Sequence, residues 1–253
     1  MQSSRLLSVL VCAAALAAGC ASRPEVSAAK PDLAAREAAE KADALTQMTF
    51  WAQEARRFPN DPDVAAKFVD ALRHGRQTTR AVQIGAEALG RMPNASGLRR
   101  AYAYALLASG RGAETVLLLA ELAQAEPEDW RVRQALGVAL DQAGRPHQAR
   151  QAYQEALRLA PRDVALLTNL GVSYLLSGEA PAAERVLREA VELPGATAET
   201  RQNLAFAIGL QGRFEEAEQI QRVDLPPEQV ANNISYLRSL LSDSRRWEDL
   251  QER

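Results

Sequence analysis

Two series of residues recur along this chain at the same interval of 34. One series is Gly110, Gly144, Gly178 and Gly212, and the other is Pro59, Pro93, Pro127 and Pro161. Glycine takes positive φ without a steric penalty and therefore closes a helix at a turn. The residue before a proline is pushed out of the α region, which ends a helix. A fixed period of this length marks a repeat architecture. Each period is therefore predicted to be one antiparallel helical hairpin, and the chain to be all-α.

Large and small residues repeat in phase with the glycines. A large residue beside a very small one lets two helices approach closely, and such pairs lie eight and seven residues before each glycine. They are Tyr102-Ala103, Leu136-Gly137, Leu170-Gly171 and Leu204-Ala205. Alanine also recurs five residues after the glycine, as Ala149, Ala183 and Ala217. This pattern resembles the tetratricopeptide repeat, and the resemblance implies an α-α superhelix, or solenoid, of helical hairpins with N- and C-terminal capping helices.

The 34-residue spacing, together with the positions at which it fails, predicts where the repeats begin and end. Residues 62–226 are predicted to hold the repeats, at 62–95, 96–129, 130–163, 164–197 and 198–226. The first repeat is irregular because its glycine has moved to Gly75, and Pro194 comes one residue early after the fourth, which predicts a reshaped turn. Residues 32–61 are predicted to form an N-terminal helix or half-repeat. Pro226-Pro227 begin capping helices over residues 227–253, with apolar residues at intervals of three and four.

The N-terminus carries the pattern of a secretory signal. Arg5 precedes an apolar run from Leu6 to Ala18, and the sequence LAAGC that ends at Cys20 resembles a bacterial lipoprotein cleavage site. Residues 1–19 are therefore predicted to be a signal peptide, and residues 20–31 a flexible tether in which Cys20 is acylated. The alternative is a secreted protein that is cut elsewhere. Ala21, which stands where an aspartate retains enteric lipoproteins in the inner membrane, favours a lipid anchor in the outer membrane, with the repeats in the periplasm.

The composition gives no basis for catalysis or for nucleic-acid binding. The formal net charge is −2, and the arginines are dispersed among acids. The two histidines, His74 and His147, lie at predicted turns of different repeats, without a partner at ligand spacing. The glycines are spaced for hairpins and not for a phosphate-binding loop. We therefore expect a protein that binds other proteins, with no catalytic residue, metal site, cofactor, nucleic acid or small-molecule substrate.

The predicted binding site is the groove lined by the first helices of the hairpins. In the tetratricopeptide fold, residues six and three before each glycine point into this groove, and two asparagines nine before it are placed to hydrogen-bond an extended peptide. The candidate groove residues are Arg100, Tyr104, Leu107, Arg131, Gln134, Val138, Asp141, Asn169, Val172, Leu175, Asn203 and Phe206. The set that grips a C-terminal carboxylate in related domains is incomplete here, so an apolar or amphipathic peptide is expected. The alternatives are that some of these residues pack between repeats, or that the convex face binds while residues 28–51 block the groove.

The C-terminal part carries a more specific resemblance. The segment Asp224-Leu225-Pro226-Pro227, followed by Asn232-Asn233-Ile234-Ser235-Tyr236-Leu237-Arg238, lies outside the repeat consensus. Together with runs between residues 201 and 218, it is similar to the TadD family, tetratricopeptide lipoproteins of Flp, or tight-adherence (Tad), pilus assembly. The resemblance implies a non-catalytic, pilotin-like role in which an outer-membrane lipoprotein assists the assembly, localisation or stability of the pilus secretin. The alternative is a general lipoprotein adaptor that recruits cell-wall enzymes or other envelope complexes.

Overall fold

A computed structural model describes residues 32–242 of the chain. The predicted signal peptide, Cys20, the tether up to residue 31 and residues 243–253 lie outside the described residues. Within residues 32–242 the chain forms thirteen α-helices, one 3-10 turn and no strand. The helices are α1 (Leu33–Glu40), α2 (Ala44–Arg57), α3 (Pro62–His74), α4 (Thr78–Arg91), α5 (Ser96–Ala108), α6 (Val116–Ala125, after a 3-10 turn at Gly112–Thr115), α7 (Trp130–Gln142), α8 (Pro146–Leu159), α9 (Val164–Leu176), α10 (Ala180–Val191), α11 (Ala198–Gly209), α12 (Phe214–Gln221) and α13 (Pro227–Ser242). The all-α class predicted from the sequence is confirmed.

The glycine series forms the turn inside each hairpin. Gly110, Gly144, Gly178 and Gly212 all take positive φ, between 69° and 79°. This left-handed conformation lets the chain reverse directly after the first helix, and glycine adopts it without a Cβ clash. The five first helices, α3, α5, α7, α9 and α11, begin at residues 62, 96, 130, 164 and 198. Each begins at the first residue of a segment that the 34-residue spacing outlines.

The proline series ends the second helices and leads into the next hairpin. Phe58, which precedes Pro59, has a ψ of 66°, and Ala160, which precedes Pro161, has a ψ of 71°, both outside the helical region. Two residues after the proline, an aspartate often caps the next helix. Asp61 accepts hydrogen bonds from the Asp63 and Val64 amides, and Asp163 accepts one from the Leu166 amide. A Pro-x-Asp triplet therefore stops one helix and starts the next.

Two turns depart from the regular pattern. The sequence placed the turn glycine of the first repeat at Gly75, and this is wrong, because Gly75 has a φ of −76° and Arg76 takes the left-handed φ of 61°. A Cβ at Gly75 would meet the sulfur of Met48, so the flexible end of that side chain would have to shift. After the fourth hairpin, α10 ends at Val191 and Gly195 takes a φ of 94°, so this turn is reshaped, as the early Pro194 predicts.

The hairpins stack in sequence into a solenoid. Each first helix contacts the first helix of the next hairpin, and each second helix packs against that same helix. The buried residues form a series of clusters, one after another, from Trp51 on α2 to Leu240 on α13, in place of one central core. Helix α13 covers the last hairpin by packing on α11 and α12, where Val230 and Leu237 are buried. The predicted α-α solenoid is therefore confirmed, with its first helices adjacent to one another along one side.

Candidate functional site

Four of the predicted groove residues occupy the same position on successive first helices. Tyr104, Val138, Val172 and Phe206 lie on α5, α7, α9 and α11, and each is half-buried. Tyr104, Val138 and Phe206 pack partly against the buried clusters beneath them. Within residues 32–242, Val172 packs against none of these clusters. Its apolar surface is therefore the part of this stripe that contributes least to the fold.

The C-terminal half of the groove is the more apolar half. Leu175 is half-buried next to Val172, and the following residue, Leu176, has 56% of its surface exposed. Leu176 is not among the groove residues predicted from the sequence. The signal was available, because Leu176 lies two residues before Gly178, a position that Gln142 occupies one repeat earlier. Together with Phe206, these residues give α9 and α11 four apolar side chains that are half-buried or exposed.

The N-terminal half of the groove is charged. The Arg100 guanidinium donates to Asp129 at 3.0 Å and lies 3.3 Å from Glu126, so its charge is already paired inside the stack. The Arg73 guanidinium lies 5.8 Å from the centre of the Tyr104 ring. Burial, with the nearby Asp129 carboxylate, raises the pKa of Tyr104 to about 12, so its hydroxyl keeps its proton and remains a hydrogen-bond donor.

Asp141 belongs to the joint between two repeats. One of its carboxylate oxygens accepts a hydrogen bond of 2.9 Å from the Tyr153 hydroxyl on α8, and the other accepts one of 2.8 Å from the Ser173 hydroxyl on α9. Burial raises the pKa of the Asp141 carboxyl, and the hydrogen bonds from Ser173 and Tyr153 oppose this rise. The structure thus assigns the Asp141 carboxylate to holding α7, α8 and α9 together, which is the packing alternative for this residue.

The polar candidates differ in their availability to a partner. Arg131 is exposed, and its guanidinium lies 4.4 Å from the Trp130 ring centre. Gln134, Asn169 and Asn203 are half-buried, and none of these three side-chain amides has a hydrogen-bond partner among residues 32–242. The last candidate, Leu107, is half-buried against the cluster that contains Leu119.

Asn169 also borders a recess between α9 and α11. This cavity of about 440 Å³ is lined by the ends of two successive hairpins, including Pro194 and Gly195. Its inner wall contains Thr168 and Thr200, whose hydroxyl oxygens lie 3.0 Å apart. The reshaped turn after the fourth hairpin therefore opens a recess beside a predicted groove residue.

The described part of the chain contains no group of three or more metal-ligating side chains. The two histidines contact arginines: the Arg73 guanidinium lies 2.9 Å from His74 Nε2, and the Arg150 guanidinium lies 2.6 Å from His147 Nδ1. Burial, and then the Arg73 charge, lower the pKa of His74. Neither contact places a histidine beside a nucleophile. None of the helices within residues 32–242 has the length and apolar character that crossing a membrane requires.

Comparisons with known proteins agree with this architecture. Residues 135–197 match the tetratricopeptide repeat family model, and no curated protein matches the chain. Among solved structures, TTC0263, a thermophilic tetratricopeptide protein of Thermus thermophilus, is 21% identical with a TM-score of 0.57, over 70% of this chain and 98% of that one. MamA from residue 41 onward, of Desulfovibrio magneticus RS-1, is also 21% identical with a TM-score of 0.55, over 63% of this chain and 90% of that one. These likenesses support a tetratricopeptide-type fold.

Proposed function

We propose that the protein is a non-catalytic adaptor whose groove holds an apolar or amphipathic peptide segment of another protein. The observation that carries this proposal is the stripe of half-buried apolar residues at one position of four successive first helices. Such a stripe fits a helix or an extended chain that presents apolar side chains at regular intervals. Gln134, Asn169 and Asn203 supply polar groups for the backbone or the polar side of that segment.

We propose further that the adaptor is an outer-membrane lipoprotein, acylated at Cys20 and facing the periplasm. This rests on the N-terminal sequence alone, which resembles a lipoprotein signal. More than one acyl chain on Cys20 would hold the protein stably on the bilayer, whereas a single chain binds only marginally. Mass spectrometry of the protein from membranes tests this directly. A mature N-terminus other than modified Cys20 contradicts the anchor.

The partner that the sequence favours is the secretin, or another component, of the Flp/Tad pilus machinery. The support is the resemblance of the cap region from Asp224 to Arg238 to TadD proteins. The proteins that the mature protein, used as bait, recovers from detergent-solubilised envelopes should then include a Tad component. The competing candidate is a general envelope adaptor, supported by the lipoprotein-like N-terminus and the repeats alone. A general adaptor should recover cell-wall enzymes in the same experiment, and no secretin.

One substitution separates groove binding from a general loss of folding. Val172→Glu should abolish recovery of the partner while leaving thermal unfolding nearly unchanged, because Val172 is half-buried and packs against none of the buried clusters in the described residues. Leu170→Glu, on the buried side of the same helix, is the contrasting control and should unfold the fourth repeat. If Val172→Glu and wild type recover the same partner equally, the groove is not the binding site.

A further inference from the structure

A second candidate surface lies between α2 and α4, away from the groove. Two adjoining cavities of about 250 and 280 Å³ open there, and both are lined by Ala52, Arg56, Phe68 and Arg80. The shared residues make the two cavities one continuous depression, here called the α2–α4 cleft. Helices α2 and α4 each have 14 residues, so each side of the cleft is about 21 Å long.

The floor of the cleft is apolar and recessed. Phe68 and Leu72 of α3 line it and are only 6% and 1% exposed. Ala55 and Ile84 extend the apolar lining along the sides. At one end, Leu45 lines the cleft with 69% of its surface exposed. Because Phe68 and Leu72 are almost fully covered, the exposed apolar surface of the cleft comes mainly from Leu45 and from the half-buried Ala55 and Ile84.

The rim of the cleft carries three arginines and a single carboxylate, Glu87, among its lining residues. Arg56, Arg80 and Arg91 are exposed, line the cleft, and form no ion pair with any residue in the 32–242 range. The polar contacts that Arg80 and Arg91 make are to neutral groups, the Gln77 side chain at 3.4 Å and a backbone carbonyl at 3.2 Å. Among the lining residues of both cavities, the only carboxylate is Glu87, which accepts a hydrogen bond from a glutamine.

Two arginines of the later hairpins show the contrasting, paired arrangement. On α10, Arg188 lies 2.7 Å from Glu184, and at the end of α12, Arg222 lies 2.5 Å from Glu218. Each of these arginines is thus neutralised by a carboxylate four residues away on the chain. At the α2–α4 cleft, Arg56 and Arg80 have no carboxylate four residues away, and Arg91 forms no ion pair with Glu87, which lies four residues before it, so carboxylates of another molecule can pair with these arginines.

We propose that the α2–α4 cleft is a second interaction surface, which binds an acidic amphipathic helix of a protein partner. Apolar side chains of that helix enter the recess over Phe68 and Ile84, and carboxylates beside them pair with Arg56, Arg80 and Arg91. A recessed apolar floor fits inserted side chains, whereas binding to an anionic bilayer requires apolar side chains that protrude. A helix of three to four turns matches the length of the cleft.

The test uses a fluorescein-labelled 14-residue synthetic helix, with leucines spaced three and four apart and glutamates beside them, and the full-length protein in detergent. Fluorescence anisotropy should show saturable binding that weakens as salt increases. A peptide with lysine in place of every glutamate should not bind. The triple variant Arg56→Glu, Arg80→Glu, Arg91→Glu should lose about ten-fold or more in affinity, since each exposed ion pair contributes modestly and reversal adds repulsion.

The matched control reverses three other exposed arginines that have no ion pair within the described part of the chain: Arg145→Glu, Arg162→Glu and Arg185→Glu. This control changes the net charge equally and should change affinity less than about two-fold. Val172→Glu in the groove should also leave it unchanged, which separates the result from that of the groove. The proposal is overturned if the acidic peptide does not bind, if the two triple variants behave alike, or if anionic vesicles bind and the peptide does not.

Discussion

The left-handed turn residues give a test of how the 34-residue spacing stabilises the fold. Gly144 has a φ of 69°, and an added Cβ would meet no heavy atom within 4 Å. Gly144→Ala therefore changes backbone conformational energy and little else. Arg76 holds the same turn position two repeats earlier with a φ of 61°, although its side chain forms no ion pair or hydrogen bond with residues 32–242. The two sites should respond with opposite signs.

The magnitudes follow from two opposing effects. A left-handed residue other than glycine costs about 1–2 kcal/mol, while replacing glycine by alanine restricts the unfolded chain and returns about 0.4–1 kcal/mol. Gly144→Ala should therefore destabilise the protein by about 0.8 kcal/mol, and by about 1.6 kcal/mol at most. Arg76→Gly reverses both effects and should stabilise it by up to about 1.5 kcal/mol. Arg76→Ala keeps the strained conformation and should have little effect.

Thermal unfolding followed by circular dichroism measures these changes, since 1 kcal/mol corresponds to about 2–4 °C in a chain of this size. Gly90→Ala is the matched control, because Gly90 lies in α4, has no positive φ, and would also meet nothing within 4 Å. That substitution should be neutral or stabilising. A higher unfolding temperature for Gly144→Ala, or a lower one for Arg76→Gly, would contradict this account of the turns.

Two further predictions concern the joints between repeats. Tyr153→Phe removes the 2.9 Å hydrogen bond to the half-buried Asp141 carboxylate and should lower the free energy of unfolding in urea by about 1–2 kcal/mol. The control is Tyr102→Phe, which should change it very little because the Tyr102 hydroxyl has no hydrogen-bond partner among the described residues. Equal effects of the two substitutions would contradict the role of Asp141 in joining the repeats. Glu184 on α10 accepts hydrogen bonds from Arg213 and Arg188 at 2.7–2.9 Å. Burial raises its pKa, but the hydrogen bonds from Arg213, Gln211 and Arg188 outweigh that effect and lower it. Because the folded pKa is lowered, the stabilisation is present above the unfolded pKa of about 4.3 and is lost as the pH falls through the folded pKa. At pH 7 the Glu184→Gln variant should therefore unfold at a lower temperature than wild type. The difference between the two unfolding temperatures should shrink as the pH is lowered to 3. A difference that does not depend on pH would contradict this prediction.

The fold class was predictable because its determinants are local and repeated. A glycine at a left-handed turn and a proline after a helix act within a few residues, so they are visible in the sequence. Arg76 shows the limit of this approach. Arg76, between α3 and α4, takes the left-handed turn conformation, although the neighbouring residue is the glycine Gly75. Residue type alone therefore does not identify which of two adjacent residues takes the turn.

The site was predictable only as a set of positions. Repeat phase identified the first helices and the residues that face outward from them, but not which side chains are already used inside the protein. Asp141 and Val172 occupy outward positions in adjacent repeats, yet the Asp141 carboxylate bridges two helices while Val172 contacts no buried cluster within the described residues. The α2–α4 cleft has no sequence signature either, because its arginines come from two helices that are separated in the chain and its floor comes from a third.

The most specific part of the sequence resemblance has a structural role at the end of the stack. Asp224, in the segment before α13, accepts two hydrogen bonds from Arg201 on α11, at 2.6 and 2.8 Å. Asn233 on α13 donates to the buried Gln221 at 2.9 Å. These contacts tie the segment before α13 to α11, the helix that carries Phe206, and tie α13 to α12. The residues that most resemble one family therefore act on the groove indirectly, by setting where its last helix lies, while the residues that would contact a partner lie on the repeats before them. Partner identity consequently has to be tested at Val172 and Phe206, because a change at Asp224 would alter stability and groove geometry together.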